Sequence, residues 1–441
     1  SYPYVAGGVS AWVAEIMRSM PQLSFSIVSL SANRDAGKTL RYKIPGNVVE
    51  LQDYYLFESP DREEAAAPAW PLTKDQTAVL SSFVGGLGRG ECRALPEVCE
   101  ALGRFRSRDE LFLALSHARE SWQIVEEQYK AVAFPGLSLL DYFWTYRAIA
   151  IPSLCALREP LPKARLYHAA STGYAGLVGA KAACTTGAPL LLTEHGLYTR
   201  ERRIDIFNAG WIHDPTPAPH LDMLRAGSFF REWWNSFFRA LSRSAYQAAS
   251  RVFSLHEADR RSQVEDGAPQ EKTEIIPNGI RTEALAAIPM RERRREDPLR
   301  IGFIGRITGI KDIKTLLRAL AVLQSRGVAF DCQLMGPMEE EPDYAAECRA
   351  LAANLGLAEK ARFLGRVNVE QYLPDLDVVV LTSTSEGMPF AVLEANCAGR
   401  PVVSTDVGAC RELLVGRTPE DQALGPSGLL APVASPVAIA S

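Results

Sequence analysis

Five short runs in the second half of the chain, Arg300–Ile304, Phe330–Met335, Ala361–Leu364, Asp377–Leu381 and Pro401–Ser404, are apolar and strand-like, and a stretch of helical character separates each from the next. Strands so spaced cannot join as hairpins. They need helical crossovers, which produce a parallel sheet covered by helices. The pattern predicts a Rossmann-like α/β unit over residues 299–441.

The first half repeats the rhythm less evenly. Gly7-Gly8 leads into a helical pattern, with Val9, Trp12, Val13, Ile16 and Met17 on one face, and then into a β-branched run from Leu23 to Leu30. From about Phe57 to Lys163 the strand–helix rhythm is lost, and a charged, helical region is punctuated by Ala65-Ala66-Ala67-Pro68 and Gly85-Gly86-Leu87-Gly88. The rhythm resumes with a strand at Arg165–His168, a helix over Gly173–Thr185, a strand at Leu190–Thr193, an aromatic helix over Phe229–Ser250 and a strand at Val252–Ser254. These features predict a second Rossmann-like domain over 1–280 with a helical insertion at about 57–163. A charged linker over 281–298, containing Arg291–Glu296, would join it to the 299–441 domain. A length of 441 residues suits two such domains plus the insertion. The chain opens without Met on a loop where a strand is expected, and it stops soon after Gly428-Leu429-Leu430 without closing helices. Both ends therefore read as cut.

Composition removes several classes of function. A net charge of -4 disfavours a nucleic-acid-tracking surface, which carries a basic excess. The eight cysteines are scattered, with no C-x-x-C pair, which argues against a zinc site and for reduced thiols in the cytoplasm. The longest apolar stretch, Leu137–Leu157, is interrupted by Asp141 and Arg147 and falls short of the roughly 20 apolar residues a membrane span needs. A cytoplasmic protein is expected, with docking on a membrane partner left open.

Two segments carry the chemistry. Gly305-Arg306-Ile307-Thr308-Gly309-Ile310-Lys311-Asp312 links the first strand of the 299–441 domain to a helix, at the carboxyl edge where open parallel sheets bind ligands. A helix N-terminus flanked by Arg306 and Lys311 suits a diphosphate, although two solvated surface cations would look the same. Ser385-Glu386-Gly387-Met388-Pro389-Phe390-Ala391-Val392-Leu393-Glu394 follows an apolar strand and opens a helix, with Pro389 suited to its first position. Glu386 and Glu394 would flank a ligand, one accepting from sugar hydroxyls and the other from a ribose, while the amides near Met388 and Phe390 face phosphate. Taken singly, each acid also has an ordinary structural role.

Together with Phe363-Leu364-Gly365-Arg366-Val367 and Ser404-Thr405-Asp406-Val407-Gly408, these segments resemble the donor-binding half of the family-four retaining glycosyltransferases of GT-B architecture. Ala409 departs from a frequent second glycine. The resemblance implies two facing Rossmann-like, doubly wound domains. It implies that Arg306 and Lys311 bind the diphosphate, Gly365, Arg366 and Val367 contact the base through backbone, Glu394 holds the ribose, and Glu386 with Gly387, Met388, Pro389 and Phe390 engages the donor sugar and phosphate. In the first domain, Tyr2–Trp12 and Thr193-Glu194-His195-Gly196-Leu197-Tyr198-Thr199-Arg200-Glu201-Arg202-Arg203-Ile204-Asp205 resemble the PelF-like transferases of Pel exopolysaccharide synthesis, as does the long helical insertion. That resemblance implies UDP-glucose as donor, a saccharide acceptor, a cytoplasmic protein peripheral to a membrane-embedded polysaccharide synthesis complex, and a role in biofilm matrix.

Gly7 and Gly8 would let backbone approach the donor, although a glycine pair is also an ordinary turn. His195 stands at a strand's carboxyl end, where it would hydrogen-bond the donor sugar. Arg200, Arg202 and Arg203 read equally as acceptor contacts or as a solvated basic loop. Asp375-Leu376-Asp377 spells a metal-binding D-x-D but precedes a buried strand, so it reads as loop acids, and no metal or other cofactor is expected. Gly86-Leu87-Gly88-Arg89-Gly90 misses nucleotide-loop spacing and reads as flexible. His195, Glu386, Arg306 and Lys311 are the candidate catalytic set, with front-face transfer and domain closure about Asn278-Gly279 implied by the family. A non-catalytic UDP-sugar-binding scaffold and a sugar-nucleotide epimerase remain as alternatives.

Overall fold

The helix Gly8–Ser19 leads into strand β1 (Phe25–Ser31), which pairs in parallel with β2 (Val48–Tyr55). The computed structural model describes residues 2–5, 7–34, 39–60, 71–92, 94–132, 136–212, 229–294 and 296–441. The chain divides into two units, Ser1–Ser254 with Arg260–Ile275, and Leu255–Asp259 with Ile276–Ser441.

In the first unit, β3 (Tyr167–Ala169), β4 (Leu190–Thr193), β5 (Arg251–Ser254) and β6 (Thr273–Ile275) form a parallel sheet in sequential order, separate from the β1–β2 pair. The predicted insertion is helical: Lys74–Gly88, Leu95–Gly103, Arg108–His117, Arg119–Val132 and Leu139–Arg158 lie within its described part. The Ala65–Pro68 punctuation falls outside the described residues. Thr73 and Gln76 form a capping box that starts the first of these helices. Leu80, Phe83, Leu87, Leu102, Leu111, Leu154 and Phe237 belong to one cluster that reaches the aromatic helix Phe229–Ala248, and all are buried. At about 1.5–3 kcal/mol for each large apolar side chain, this cluster is a main source of the unit's stability. The apolar stretch beginning at Leu137 is the helix Leu139–Arg158, whose Tyr142, Tyr146 and Ile149–Leu157 are buried. No described helix is long and apolar enough to cross a membrane.

In the second unit, β7 (Leu299–Ile304), β8 (Phe330–Met335), β9 (Ala361–Gly365), β10 (Val378–Leu381), β11 (Val402–Thr405) and β12 (Gly428–Ala431) form one parallel sheet in the order β12-β11-β10-β7-β8-β9. The chain winds outward through β8 and β9, then returns to pair β10 with β7 and winds the other way. This reversal is the doubly wound topology the spacing predicts. The expected linker at 281–298 is not free of the unit, because the helix Thr282–Ala286 lies within it, Leu285 is buried in the core and the Arg400 guanidinium donates to the Pro289 carbonyl at 2.7 Å. After β12 the four-residue helix Pro436–Ile439 packs on Ile313–Ser325, and Arg326 donates to the Ala440 carbonyl at 2.8 Å.

Candidate active site

The reversal of strand order places a crevice at the carboxyl ends of β7 and β10, the usual ligand position in an open α/β sheet. Hydrogen bonds tie the loops leaving these strands to each other and to β11. Thr382 Oγ1 donates to the Lys311 carbonyl at 2.9 Å, Thr384 N donates to the Ile310 carbonyl at 2.9 Å, and Thr405 Oγ1 from β11 donates to the Ser383 carbonyl at 2.6 Å. Lys311 Nζ and Glu386 Oε1 meet across this point at 2.5 Å, and Ser383 Oγ donates to the same carboxylate oxygen. The Lys311 and Glu386 side chains are only 15% and 10% exposed, so the pair is shielded from water and its charges interact strongly. Nothing in the spacing of these two candidates indicates that they pair.

Helix N-termini here differ from expectation. Asp312 caps the helix Ile313–Ser325, accepting from Thr315 N at 3.2 Å and from Thr315 Oγ1 at 2.6 Å. A carboxylate therefore stands where the diphosphate was expected. Arg306 is likewise engaged: it forms an ion pair with Glu340, with Oε2 at 2.6 Å, while Glu341 accepts from Gly309 N at 2.9 Å. The helix that remains open is Phe390–Cys397, which has no side-chain cap and no acid in its first turn. Pro389 is its N-cap and not its first residue, as the pattern had suggested.

The Glu386–Phe390 loop is held from both sides. Asn278, which is buried, donates to the Met388 carbonyl at 3.1 Å, and Ala409 N donates to the Gly387 carbonyl at 2.8 Å. Gly408 has φ 54°, and a Cβ there would lie 2.2 Å from the Glu386 carbonyl oxygen and 2.4 Å from that of Gly387. Only glycine fits this approach. Glu394 lies inside the helix, and its carboxylate accepts no hydrogen bond from a described residue; burial first, then the charge of Glu370, raise its pKa above the ordinary carboxyl value. Gly365 ends β9 with its carbonyl accepting from Gly336 N at 2.9 Å, Arg366 is exposed, and Val367 packs on the core. All these second-unit candidates lie on the sheet's carboxyl side.

In the first unit, Gly7 precedes the helix Gly8–Ser19, and its amide donates to Tyr42 Oη at 3.3 Å. A Cβ on Gly7 would meet nothing within 4 Å, so packing does not account for glycine there. One turn into this helix, Trp12 packs edge-to-face on two imidazoles, His195 at 4.5 Å and His168 at 5.5 Å between ring centroids. His195 Nε2 is buried and without a hydrogen-bond partner. Desolvation, and for His195 also the neighbouring His168, lower both pKa values to about 4. Behind His195, the buried Glu194 carboxylate accepts from Thr172 Oγ1 at 2.9 Å, Tyr246 Oη at 2.6 Å, Gln263 Nε2 at 3.0 Å and Tyr198 N at 3.4 Å. Burial raises its pKa while these hydrogen bonds oppose the shift.

Sequence reasoning missed the roles of Trp12, Glu194, Ser383 and Asp312. Asp312 had a usable signal, since an Asp three residues before a threonine at the start of an apolar helical run is a capping pattern. Two other expectations are corrected. Arg200, Arg202 and Arg203 belong to the helix Tyr198–Asn208 and not to a loop; Arg202 pairs with Asp205 at 2.8 Å. The Gly85–Gly88 run ends the helix Lys74–Gly88, where a Cβ on Gly88 would lie 2.6 Å from Trp233 Nε1, so these glycines permit close packing and do not mark a flexible loop. Asp375 and Asp377 are committed elsewhere: Asp375 pairs with Arg300 at 2.8 Å, and Asp377 accepts from Arg300 N at 2.8 Å.

Residues 1–271 match a family model described as a domain of unknown function, DUF3492, and residues 298–441 match the model described as glycosyl transferases group 1. The chain belongs to the DUF3492 family. In this DUF3492 protein the group 1 glycosyl transferase domain coincides with the unit that carries the Lys311–Glu386 pair. Its relatives include a D-inositol 3-phosphate glycosyltransferase of Geodermatophilus obscurus, 30% identical over 198 residues, which are 40% of this chain and 44% of the relative. Another is the amylovoran biosynthesis glycosyltransferase AmsK of Erwinia amylovora, 27% identical over 34% of this chain and 37% of the relative. The chain spans about half or less of the length of the curated relatives it matches. Sucrose-phosphate synthase of Thermosynechococcus elongatus aligns over 99% of this chain and 83% of its own, with TM-score 0.53 and 16% identity. That likeness identifies the fold as GT-B.

Proposed function

We propose that the chain is a retaining, metal-independent glycosyltransferase that moves a hexose from a UDP-sugar, UDP-glucose foremost, to a saccharide acceptor in exopolysaccharide synthesis. The observation that carries this reading is the shielded Lys311–Glu386 pair at the switch point of a group 1 glycosyl transferase domain, one loop from an uncapped helix N-terminus. The charge that builds on a departing diphosphate needs preorganised positive groups. Lys311 and the amides of the helix Phe390–Cys397 supply them. Glu386, relieved of Lys311 when phosphate binds it, remains hydrogen-bonded to Ser383 and accepts from donor hydroxyls. Glu394, whose carboxylate has no hydrogen-bond partner among the described residues, accepts from the ribose. His195, uncharged well above pH 4, offers a neutral hydrogen bond to the donor sugar. The open space where a Cβ on Gly7 would stand suits close approach of substrate to the backbone. Arg306 joins the diphosphate by exchanging Glu340 for it.

The choice of UDP-glucose, of Pel-type polysaccharide and biofilm matrix, and of a cytoplasmic site beside a membrane-embedded synthesis complex rests on the PelF-like motifs. The name of AmsK supports the broader class of exopolysaccharide synthesis. Freedom from metal rests on the engagement of Asp375 and Asp377 by Arg300 and on the positive groups already facing the phosphate position.

The reaction is tested by incubating the protein with UDP-glucose and soluble oligosaccharides and reading the product by proton NMR. A new α-glycosidic bond in the presence of EDTA is expected. A β-linkage would refute retention, dependence on divalent cation would refute the metal-free reading, and an epimerised or unchanged donor would replace transfer with epimerisation or binding alone.

A further inference from the structure

The Glu194 network fixes the backbone at the end of β4, yet none of its hydrogen bonds reaches the ring of His195. That ring takes no hydrogen bond from a described residue, and its Nε2 is buried. A buried ring nitrogen without a protein partner is a costly arrangement, and a role in binding is one of the reasons a native structure keeps it. What holds the ring is aromatic contact. The Trp12 indole meets His195 at 71° between ring planes and His168 at 84°, so one side chain braces both imidazoles. His168 is separately oriented by Thr193 Oγ1, 2.8 Å from its Nε2. His195 therefore has Trp12 as its principal restraint.

We infer that Trp12 is a positioning residue: it fixes the His195 imidazole in the orientation that offers Nε2 to a hydroxyl group of a hexose. The inference rests on the proposed transferase reading for its ligand, but the coupling of the two rings stands on geometry alone. It also gives the glycine pair a structural purpose. Gly7, with its amide held by Tyr42, starts the helix that delivers Trp12 to the strand end. The ionisable groups near this corner are His168 on β3, Glu194 inside its own network, Tyr198 and Glu201 on the helix Tyr198–Asn208, and Glu15, which pairs with Arg18 at 3.0 Å on the helix of Trp12. Apart from desolvation, the group that acts on His195 is His168.

The test uses the full chain with isotope-labelled histidine, comparing the parent with Trp12→Leu, which stays apolar but removes the ring, and Trp12→Phe, which keeps an aromatic edge; His195→Asn assigns the resonance. In the parent, His195 is expected to titrate near pH 4. In Trp12→Leu its titration should move upward by about one unit or more as the ring gains solvent, and Trp12→Phe should restore most of the parent value. Affinity for UDP-glucose should fall about tenfold in Trp12→Leu, the equivalent of one lost hydrogen bond, while affinity for UDP, which has no hexose, should hold. An unchanged His195 titration in folded Trp12→Leu would overturn the coupling. Equal losses for UDP and UDP-glucose would overturn the hexose-facing role. If the parent binds neither ligand, the transferase reading fails, and the titration still decides whether Trp12 positions His195.

Discussion

The two units use parallel sheets differently. In the second, one six-stranded sheet with a reversal of order gathers the loops after β7, β9, β10 and β11 on one edge, and the site is a product of topology. In the first, the strands are split between a pair and a set of four, and much of the core is built by helices that never join the sheet. Its candidate groups are instead fixed by side-chain contacts, the Trp12 brace and the buried Glu194 network. A site made by topology should tolerate loss of single side chains in folding but not in binding. A site made by packing should show its losses in stability and pH response.

The largest effect should come where backbone geometry itself is at stake. Gly408→Ala would force an L-residue into positive φ and drive its Cβ into two carbonyl oxygens of the Glu386–Gly387 segment, so a loss of about 3 kcal/mol or more is expected, together with loss of nucleotide binding. Urea unfolding and calorimetry on the same sample read both. Retained binding would mean that the loop is not held as described.

Acid should then separate the first unit from the second. Unfolded His168 and His195 accept protons below their ordinary value of 6.5, whereas the folded rings resist until about 4. The unfolded state binds more protons in that window, so stability falls as pH drops through it, by up to roughly 3 kcal/mol for each histidine. Glu194 acts with the opposite sign: its raised pKa means the folded state holds a proton that the unfolded chain has released, so its contribution declines as pH rises. Glu194→Gln should therefore steepen the net acid dependence, as measured by thermal unfolding at a series of pH values. A flat profile between pH 6.5 and 4 in Glu194→Gln, where that opposing carboxyl is gone, would contradict the buried, neutral imidazoles.

Lys311→Ala should weaken nucleotide-sugar binding by about 2 kcal/mol, near thirtyfold. Arg306→Ala should cost less, about 1 kcal/mol or under, because Arg306 is half exposed and must give up Glu340 to bind phosphate. The smallest effect is expected at the loop acids: Asp375→Asn should leave nucleotide affinity within about twofold, since its carboxylate serves Arg300.

The same contrast explains what could be read from sequence. Strands β7 to β11 were visible because apolar runs between helical segments carry their own period. Strand β2 was not, since Glu50, Gln52 and Asp53 interrupt the apolar residues of Val48–Tyr55 and none of its residues is fully buried on the two-stranded sheet. Lys311 and Glu386 were legible as chemistry through their loops, but their 2.5 Å meeting depends on the pairing of β10 with β7, a contact between residues 75 apart in sequence. Asp312 was hidden for a different reason: a capping role depends on where the helix begins, and the short turn Gly309–Lys311 shifts that start past the expected point. Trp12 sat on the apolar stripe of its helix and read as core, because aromatic bracing of a histidine over 180 residues away leaves no local signal.

On the proposed function, the carboxyl edge of the second sheet holds a nucleotide diphosphate without metal. Calorimetry with UDP, UDP-glucose, GDP and ADP, each with and without EDTA, on the parent, Lys311→Ala and Glu394→Ala, tests it most directly. The account predicts selective binding of the uridine ligands, unchanged by EDTA and weakened by both substitutions. Binding abolished by EDTA, or equally strong in both variants, would contradict it.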